Sequence, residues 1–325
     1  MVQEKGNISI HTENIFPIIK KWLYSEKDIF LRELVSNASD AISKLKKLKD
    51  IGEAQLEDDY KPQITVTVDK EKGTIAISDN GIGMTSDEVK KYINQIAFSG
   101  AKDFIEKYKD KTDEQQIIGH FGLGFYSSFM VADKVTLETL SFKSGEKAVI
   151  WESNGDTEYS MNDSEKNEMG TVVTLYMAQD SKEFLEVFKV REVLKKYFAF
   201  LQYEIYLVDA NEKKDEKEIK EGEKTEIKPI NNTSPLWLKN PKDCSDEEYK
   251  SFYHEVFQDF NDPLFWIHIN MDYPFNMKGI IYFPKLKHEF ETMEGKIKLF
   301  YNQVFVADNI KEVIPEFLLL LKGML

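Results

Sequence analysis

Arg32-Glu-Leu-Val-Ser-Asn-Ala-Ser-Asp-Ala41 is the stretch on which the reading of this chain turns. At about 100° per residue of a helix, Glu33, Asn37 and Asp40 fall within roughly 60° of one another. Phe30, Leu34, Ala38, Ala41, Leu45 and Leu48 share a neighbouring apolar face. A carboxylate and an amide are thereby held side by side at the rim of a core. Taken alone, such an edge more often faces water than substrate, so the rest of the chain has to decide its meaning.

Upstream of the stripe, Ser25 followed by Asp28 resembles a capping box with Asp in place of Glu, and downstream Gly52 is a natural stop. Two alternating runs, Ile64 to Val68 and Thr74 to Ser78, are joined by Asp69-Lys-Glu-Lys-Gly73 and read as a hairpin. Thr85-Ser-Asp-Glu88 is a full capping box for a following helix. Further strand-like runs lie at Lys134 to Leu140, Ala148 to Glu152 and Thr171 to Tyr176. Helices, hairpin, helices and then more strands, without regular strand-helix alternation, predict an α+β two-layer sandwich: one mostly antiparallel sheet with helices on one face.

Between Asp209 and Lys228, eight acidic and six basic residues occur in twenty positions with no aromatic. Such a segment has nothing to bury and reads as a charged linker. Beyond it, Pro235-Leu-Trp237 opens a second domain with a helix capped by Ser245 and Glu248 and strands near Trp266 to Met271 and Lys278 to Tyr282.

Two glycine motifs give the stripe its chemistry. Asp79-Asn-Gly-Ile-Gly-Met84 follows directly from a strand, and a buried Asp at a strand end can accept a hydrogen bond from an exocyclic amine. Gly119-His-Phe-Gly-Leu-Gly124 precedes an apolar run expected to be helical, and exposed backbone N–H groups at a helix entry suit a phosphate chain. Neither motif completes G-x-G-x-x-G, and G-x-x-x-x-G-K-[ST] is absent. His11, His120, His254, His268 and His288 have no metal-ligand spacing.

Composition narrows the classes. The 325 residues suffice for about two domains. A net charge of -14 disfavours nucleic acid as the main partner, because phosphate backbones require clustered Lys and Arg. Cys244 stands alone, which fits a reducing, cytoplasmic setting. No basic-then-apolar leader is visible at Met1 to Gly6, and the run Phe317 to Leu321 is too short to span a bilayer, so no membrane partner is expected.

The segments Leu31 to Ala41, Asp79 to Met84, Gly119 to Ser127 and Gly170-Thr171 together resemble the heat shock protein 90 family in its bacterial form, and more broadly the GHKL ATPases. The likeness continues through Pro235 to Pro241 and Leu299 to Asn309. It implies a GHKL (Bergerat) ATP-binding fold over 1–208 with a lid at about 94–124, a charged linker at 209–230, and the first α/β part of a middle domain over 231–325. Glu33 would be the general base for water. Asn37 would ligate Mg²⁺ and touch phosphate, and Asp79 would read adenine with Gly83 and Thr171 assisting. Asp40, Met84, Gly119, His120, Phe121, Gly122, Leu123, Gly124 and Phe125 would complete the ATP/ADP site, with Asn80 and Met84 shaping its wall.

The resemblance also implies chaperone function on unfolded or partly folded proteins, with a homodimer formed by a longer protein and a monomer by this chain. Two departures qualify it. Where many members carry a polar residue and then Ile-Ala-Lys-Ser-Gly, this sequence has Tyr92 and Ile96-Ala-Phe-Ser-Gly100. Only two arginines are present, Arg32, expected to point about 100° away from Glu33, and Arg191; the family's catalytic arginine would follow Leu325. Slow hydrolysis is therefore expected, from a chain whose last residues read as an apolar turn capped by Gly323. The competing readings are a DNA-acting GHKL ATPase, which the acidity disfavours, and a holdase that works without nucleotide.

Overall fold

The computed structural model describes residues 26–95, 98, 100–108, 117–119, 122–156, 158–212, 227–272, 276–285, 297–308 and 321–325. Two compact units form, Met1–Lys195 with Tyr203–Ile230 and Lys196–Gln202 with Asn231–Leu325. Among the described residues no helix is long and apolar enough to cross a membrane.

In the first unit, strands β1 (Gln63–Asp69), β2 (Thr74–Asp79), β3 (Ala132–Leu140), β4 (Val149–Ser153), β5 (Ser160–Asp163), β6 (Gly170–Met177) and β7 (Glu204–Asp209) form one sheet in the order β5-β4-β3-β6-β2-β1-β7. Every pairing is antiparallel except β1 with β7. β5 and β7 have no counterpart in the sequence reading: Ser160-Met-Asn-Asp163 is short and polar, and Glu204–Asp209 abuts the charged segment.

Alternation sorts the two faces of this sheet. Ile75, Leu175 and Val135 form one cross-strand row, and Ile77, Val173 and Leu137 form the next. All six are buried, and each contributes about 1.5–3 kcal/mol relative to exposure. The following row on the same face is Asp79, Thr171 and Thr139, so the buried face turns polar at one end.

Helix α1 (Ile29–Asp50) lies across that face. Of the expected cap, Ser25 lies outside the described residues, and Asp28 occupies the N-cap position without a side-chain capping bond. Its end follows expectation, with Gly52 at φ 79° returning its N–H to the Lys49 carbonyl. Burial is wider than a single stripe: Leu31, Val35, Ser36, Ser39 and Ile42 are buried along with Phe30, Leu34, Ala38, Leu45 and Leu48, while Ala41 is only half-buried. α1 is packed on the sheet on one side and by Gly124–Met130 on another, so more of its circumference is covered than a surface helix would show.

Gly124–Met130 is a 3-10 segment, not the α-helix that its apolar run suggests. The Ser127 hydroxyl donates to the Gly124 carbonyl and the Ser128 hydroxyl to the Phe125 carbonyl. These i to i−3 side-chain bonds occupy carbonyls that an α-helical ladder would use. Helices α2 (Ser86–Tyr92) and α3 (Gly100–Lys107) complete the described part of this layer, α2 beginning at the reciprocal Thr85–Glu88 capping box.

Helix α4 (Val187–Phe198) runs from the first unit into the second. The second unit has the sheet β11-β10-β12-β9-β8, built from β8 (Phe265–Met271), β9 (Met277–Phe283), β10 (Ile297–Tyr301), β11 (Val304–Asp308) and β12 (Lys322–Met324). Phe200, Trp237, Phe252, Tyr253, Tyr282 and Met324 form its core beside α5 (Asp246–Phe257), whose Ser245–Glu248 capping box is as read. Gly323 does not cap a helix. It lies in β12, between β9 and β10, where the Met324 side chain is buried and the Leu325 N–H reaches the Lys298 carbonyl. Burial in the sheet decides the conformation of this apolar segment, which local sequence leaves open between helix and strand.

Candidate functional site

The α1 stripe and the glycine-rich loop run along each other. A Cβ built on Gly124 would lie 2.5 Å from Glu33 Oε2, and one on Gly119 would lie 3.4 Å from Asn37 Oδ1 and 3.3 Å from Asp40 Oδ2. Glu33 is thus set beside the C-terminal end of the loop and Asn37 and Asp40 beside its start. Asn37 is exposed, Glu33 half-buried and Asp40 buried.

Burial of Asp40 has a specific use. Its carboxylate accepts the N–H groups of Ile118 and Gly119, each at 2.8 Å. Asp40 thereby holds the start of the loop against the helix. Phe125 is similarly an anchor: it is buried with its ring 5.6 Å from Trp151 and 6.4 Å from Phe129. Gly122, at φ 64°, packs against the Phe98 backbone, where a Cβ would lie 2.5 Å from the Phe98 carbonyl oxygen, and Leu123 precedes the 3-10 segment. His120 and Phe121 lie outside the described residues.

Arg32 corrects one expectation. Adjacent helix positions do not face each other, yet the long side chain curls back and its Nη2 donates to Glu33 Oε1 at 2.7 Å, with Nε at 3.2 Å. A candidate base and a guanidinium therefore form one ion pair at the loop's edge.

Asp79 sits at the end of β2, where the sheet face turns polar. Burial pushes its carboxyl up to about 7, against the pull of the Gly81 and Thr171 backbone N–H groups; the Gly81 bond is 2.8 Å. The glycines of this loop serve packing. A Cβ on Gly81 would lie 2.5 Å from the Ala41 carbonyl carbon, and one on Gly83, at φ 60°, would lie 1.9 Å from the Leu140 carbonyl oxygen. The Ile82 N–H meets the Ala41 carbonyl and its own carbonyl takes the Phe142 N–H, clasping the loop between α1 and the end of β3.

The Asn80 side chain bridges two segments. Its amide donates to the Lys61 carbonyl at 2.7 Å and accepts the Gln63 N–H at 3.0 Å, which ties β2 to the entry of β1. Met84 is half-buried and its N–H donates to Thr139 Oγ1 at 2.9 Å; that hydroxyl also lies 2.9 Å from Thr171 Oγ1. Thr139 was missed in the reading of the motifs, although the alternation Val135, Leu137, Thr139 already assigns it to the buried face.

Two lysines also emerge. Lys44, one turn beyond Asp40, has its ammonium 6.0 Å from the centre of the Phe104 ring on α3; burial pushes it below the usual lysine range and Asp40 pulls it back. The Lys91 ammonium is paired with Asp103 and lies 5.2 Å from the ring centres of both Tyr92 and Phe98. Tyr92 donates to the same Asp103 at 3.2 Å.

The segments that carry a buried acid and threonine at a strand end, and a carboxylate and amide beside a glycine loop, fall within a span that matches a family model. Residues 25–183 fit the model described as histidine kinase-, DNA gyrase B-, and HSP90-like ATPase, and residues 209–325 fit the model described as Hsp90 protein. The chain belongs to the Hsp90 family. A relative named chaperone protein HtpG from Bacteroides thetaiotaomicron is 52% identical over 322 residues, 99% of this chain and 46% of that protein. Proteins of the same name from Porphyromonas gingivalis and Pasteurella multocida are 46% and 39% identical, over 100% and 99% of this chain and 46% and 51% of theirs. The chain spans about half the length of the curated relatives it matches. Within this Hsp90-family chain, the GHKL-type ATPase domain corresponds to the first unit.

Proposed function

We propose that this chain is the ATP-binding and ATP-hydrolysing portion of an ATP-driven protein chaperone, with a nucleotide site between Asp79 and the loop Gly119 to Gly124. The observation that carries it is the alignment of Glu33 with Gly124 and of Asn37 with Gly119, on a helix that also flanks the buried Asp79 loop. Residues 1–208 are assigned to nucleotide binding, with a lid at about 94–124; 209–230 are a charged linker and 231–325 the first part of a middle domain.

Asp79 accepts the adenine amino group and Thr171 and Gly83 border the base. Backbone N–H groups between Gly122 and Phe125 supply donors for the phosphates, the Gly119 N–H being already given to Asp40, and Met84 lines the wall. Asn37 is the one exposed amide on this edge and fits a Mg²⁺ ion that keeps most of its waters and takes its other ligands from phosphate. Mg²⁺ supplies charge neutralisation on the phosphates. Glu33 takes a proton from the attacking water as its oxygen bonds to the γ-phosphorus and the bond to the ADP oxygen breaks. With Arg32 paired to Glu33 and Arg191 exposed on α4, hydrolysis is slow unless an arginine is supplied from another segment.

The substrates of the whole chaperone are unfolded or partly folded proteins in the cytoplasm, and its longer form works as a homodimer. Titration calorimetry with ADP and Mg²⁺ tests the site. Binding by the parent protein that is lost in Asp79→Ala is expected; full binding retained by that variant overturns the adenine assignment. Glu33→Ala keeps ADP affinity and loses turnover, and unchanged turnover removes Glu33 from the role of base.

A further inference from the structure

Thr139 is itself given no contact with nucleotide, yet it bonds two residues that are, Met84 and Thr171, and is fully buried at the hub of the polar row. Its Oγ1 receives the Met84 N–H at 2.9 Å, lies 2.9 Å from Thr171 Oγ1 and donates to the Gly170 carbonyl at 3.3 Å. A hydroxyl has one proton and two lone pairs. The Gly170 carbonyl can only accept, so that contact consumes the Thr139 proton. One lone pair takes the Met84 N–H. The remaining lone pair can meet Thr171 only if Thr171 donates.

Thr171 is thereby left with lone pairs and no spare proton. It is cross-strand neighbour to both Asp79 and Thr139, so its side chain shares their face of the sheet. Once Asp79 is ionised, the two groups that border the base are both acceptors. We infer that Thr139 is a positioning residue that locks the Thr171 hydroxyl as an acceptor and so makes the site select 6-amino over 6-oxo purines. A 6-amino group offers N–H to such a wall, whereas a 6-oxo group sets a carbonyl oxygen against it. Buried polar groups left facing like partners discriminate strongly because neither can be rehydrated.

This inference rests on the adenine reading of Asp79, and the test separates the two. ADP, inosine diphosphate and 6-methoxypurine riboside diphosphate, the last keeping the N1 lone pair of adenine while replacing the amino N–H by an acceptor oxygen, are titrated with Mg²⁺ into the parent chain, Thr139→Val, Thr139→Ser and Thr171→Val at pH 8. In Thr139→Val the Thr171 hydroxyl loses its acceptor and can turn its proton toward a 6-oxo group. The ADP preference is expected to fall at least about tenfold in Thr139→Val, to persist in Thr139→Ser, and to fall in Thr171→Val, which removes the acceptor itself. A purely structural role for Thr139 weakens all three nucleotides together and leaves their ratios unchanged; that result overturns the inference while leaving ADP binding intact. Should Thr139→Val not fold, an unchanged ratio in Thr171→Val overturns it equally. A parent chain that binds no ADP overturns the adenine reading and this inference with it.

Discussion

The two ends of the proposed site are built on different principles. At the sheet end, Asp79, Thr171 and Thr139 are set by cross-strand register, each held by a ladder that continues into the apolar rows Ile77–Val173–Leu137 and Ile75–Leu175–Val135. At the loop end, the start of the glycine run is tied to α1 by two N–H bonds to the single Asp40 carboxylate. The first end is fixed by the same contacts that make the domain stable. The start of the second, among the described residues, is held through the Asp40 carboxylate, a tie that can be released without unfolding the sheet, as the proposed nucleotide site would require.

The harshest test of the sheet end is Gly83→Ala. The new Cβ would have to enter the space of the Leu140 carbonyl from a left-handed backbone, so loss of measurable ADP binding and a lowered melting temperature are expected together. Normal binding would show that the loop is not clasped as described. At the loop end, Asp40→Ala leaves two backbone N–H groups without their acceptor at a cost of about 1–3 kcal/mol. ADP affinity is expected to fall about 10- to 100-fold while the affinity for adenosine, which has no phosphates, changes little. Equal losses for both ligands would remove the distinction between the ends.

pH sharpens the comparison further. The Asp79 carboxyl is raised to about 7, so in the nucleotide-free protein its ionisation destabilises the fold progressively as pH rises from its ordinary range near 4 to about 7. The adenine amino group favours the ionised form. ADP affinity should therefore strengthen with rising pH, approaching tenfold per unit below 7 and levelling above it. Asp79→Asn provides the control for the phosphates' own titration; a parent profile parallel to that control would exclude Asp79 as the titrating acceptor. The smallest effect is expected for Phe98→Lys. Phe98 is 39% exposed and its backbone abuts Gly122, so an added ammonium there should raise ADP affinity a few-fold at low salt and lose the gain as salt is added. A salt-independent change would mean that the side chain does not face the phosphates.

Several misreadings have a common origin. Helical angle sets Asp40 with Glu33 and Asn37 on a polar edge, because it orders side chains around an axis but says nothing of what covers them. Arg32 was sent away from Glu33 on the same ground, although the Arg32 side chain is long enough to return. Gly81 and Gly83 are each in contact with main chain, Ala41 in one case and Leu140 in the other, which the motif alone does not reveal. For Asp40, Gly81 and Gly83 the partner is distant in sequence; for Arg32 it is the next residue, reached because the side chain folds back.

What the sequence determined by itself is local and periodic: the hairpin of β1 and β2, the capping boxes at Thr85 and Ser245, the left-handed stop at Gly52, and the alternation that puts Val135, Leu137 and Thr139 on one face. These depend on neighbours a few residues apart, and backbone propensity suffices to set them. Only the tertiary structure decided that Asp40 secures the glycine loop, that the apolar run after Gly124 winds as a 3-10 segment, that Lys322–Met324 is a strand, and that the Thr139 and Thr171 hydroxyls meet. Each of these is settled by which polar groups are buried together, and burial is a property of the packed chain.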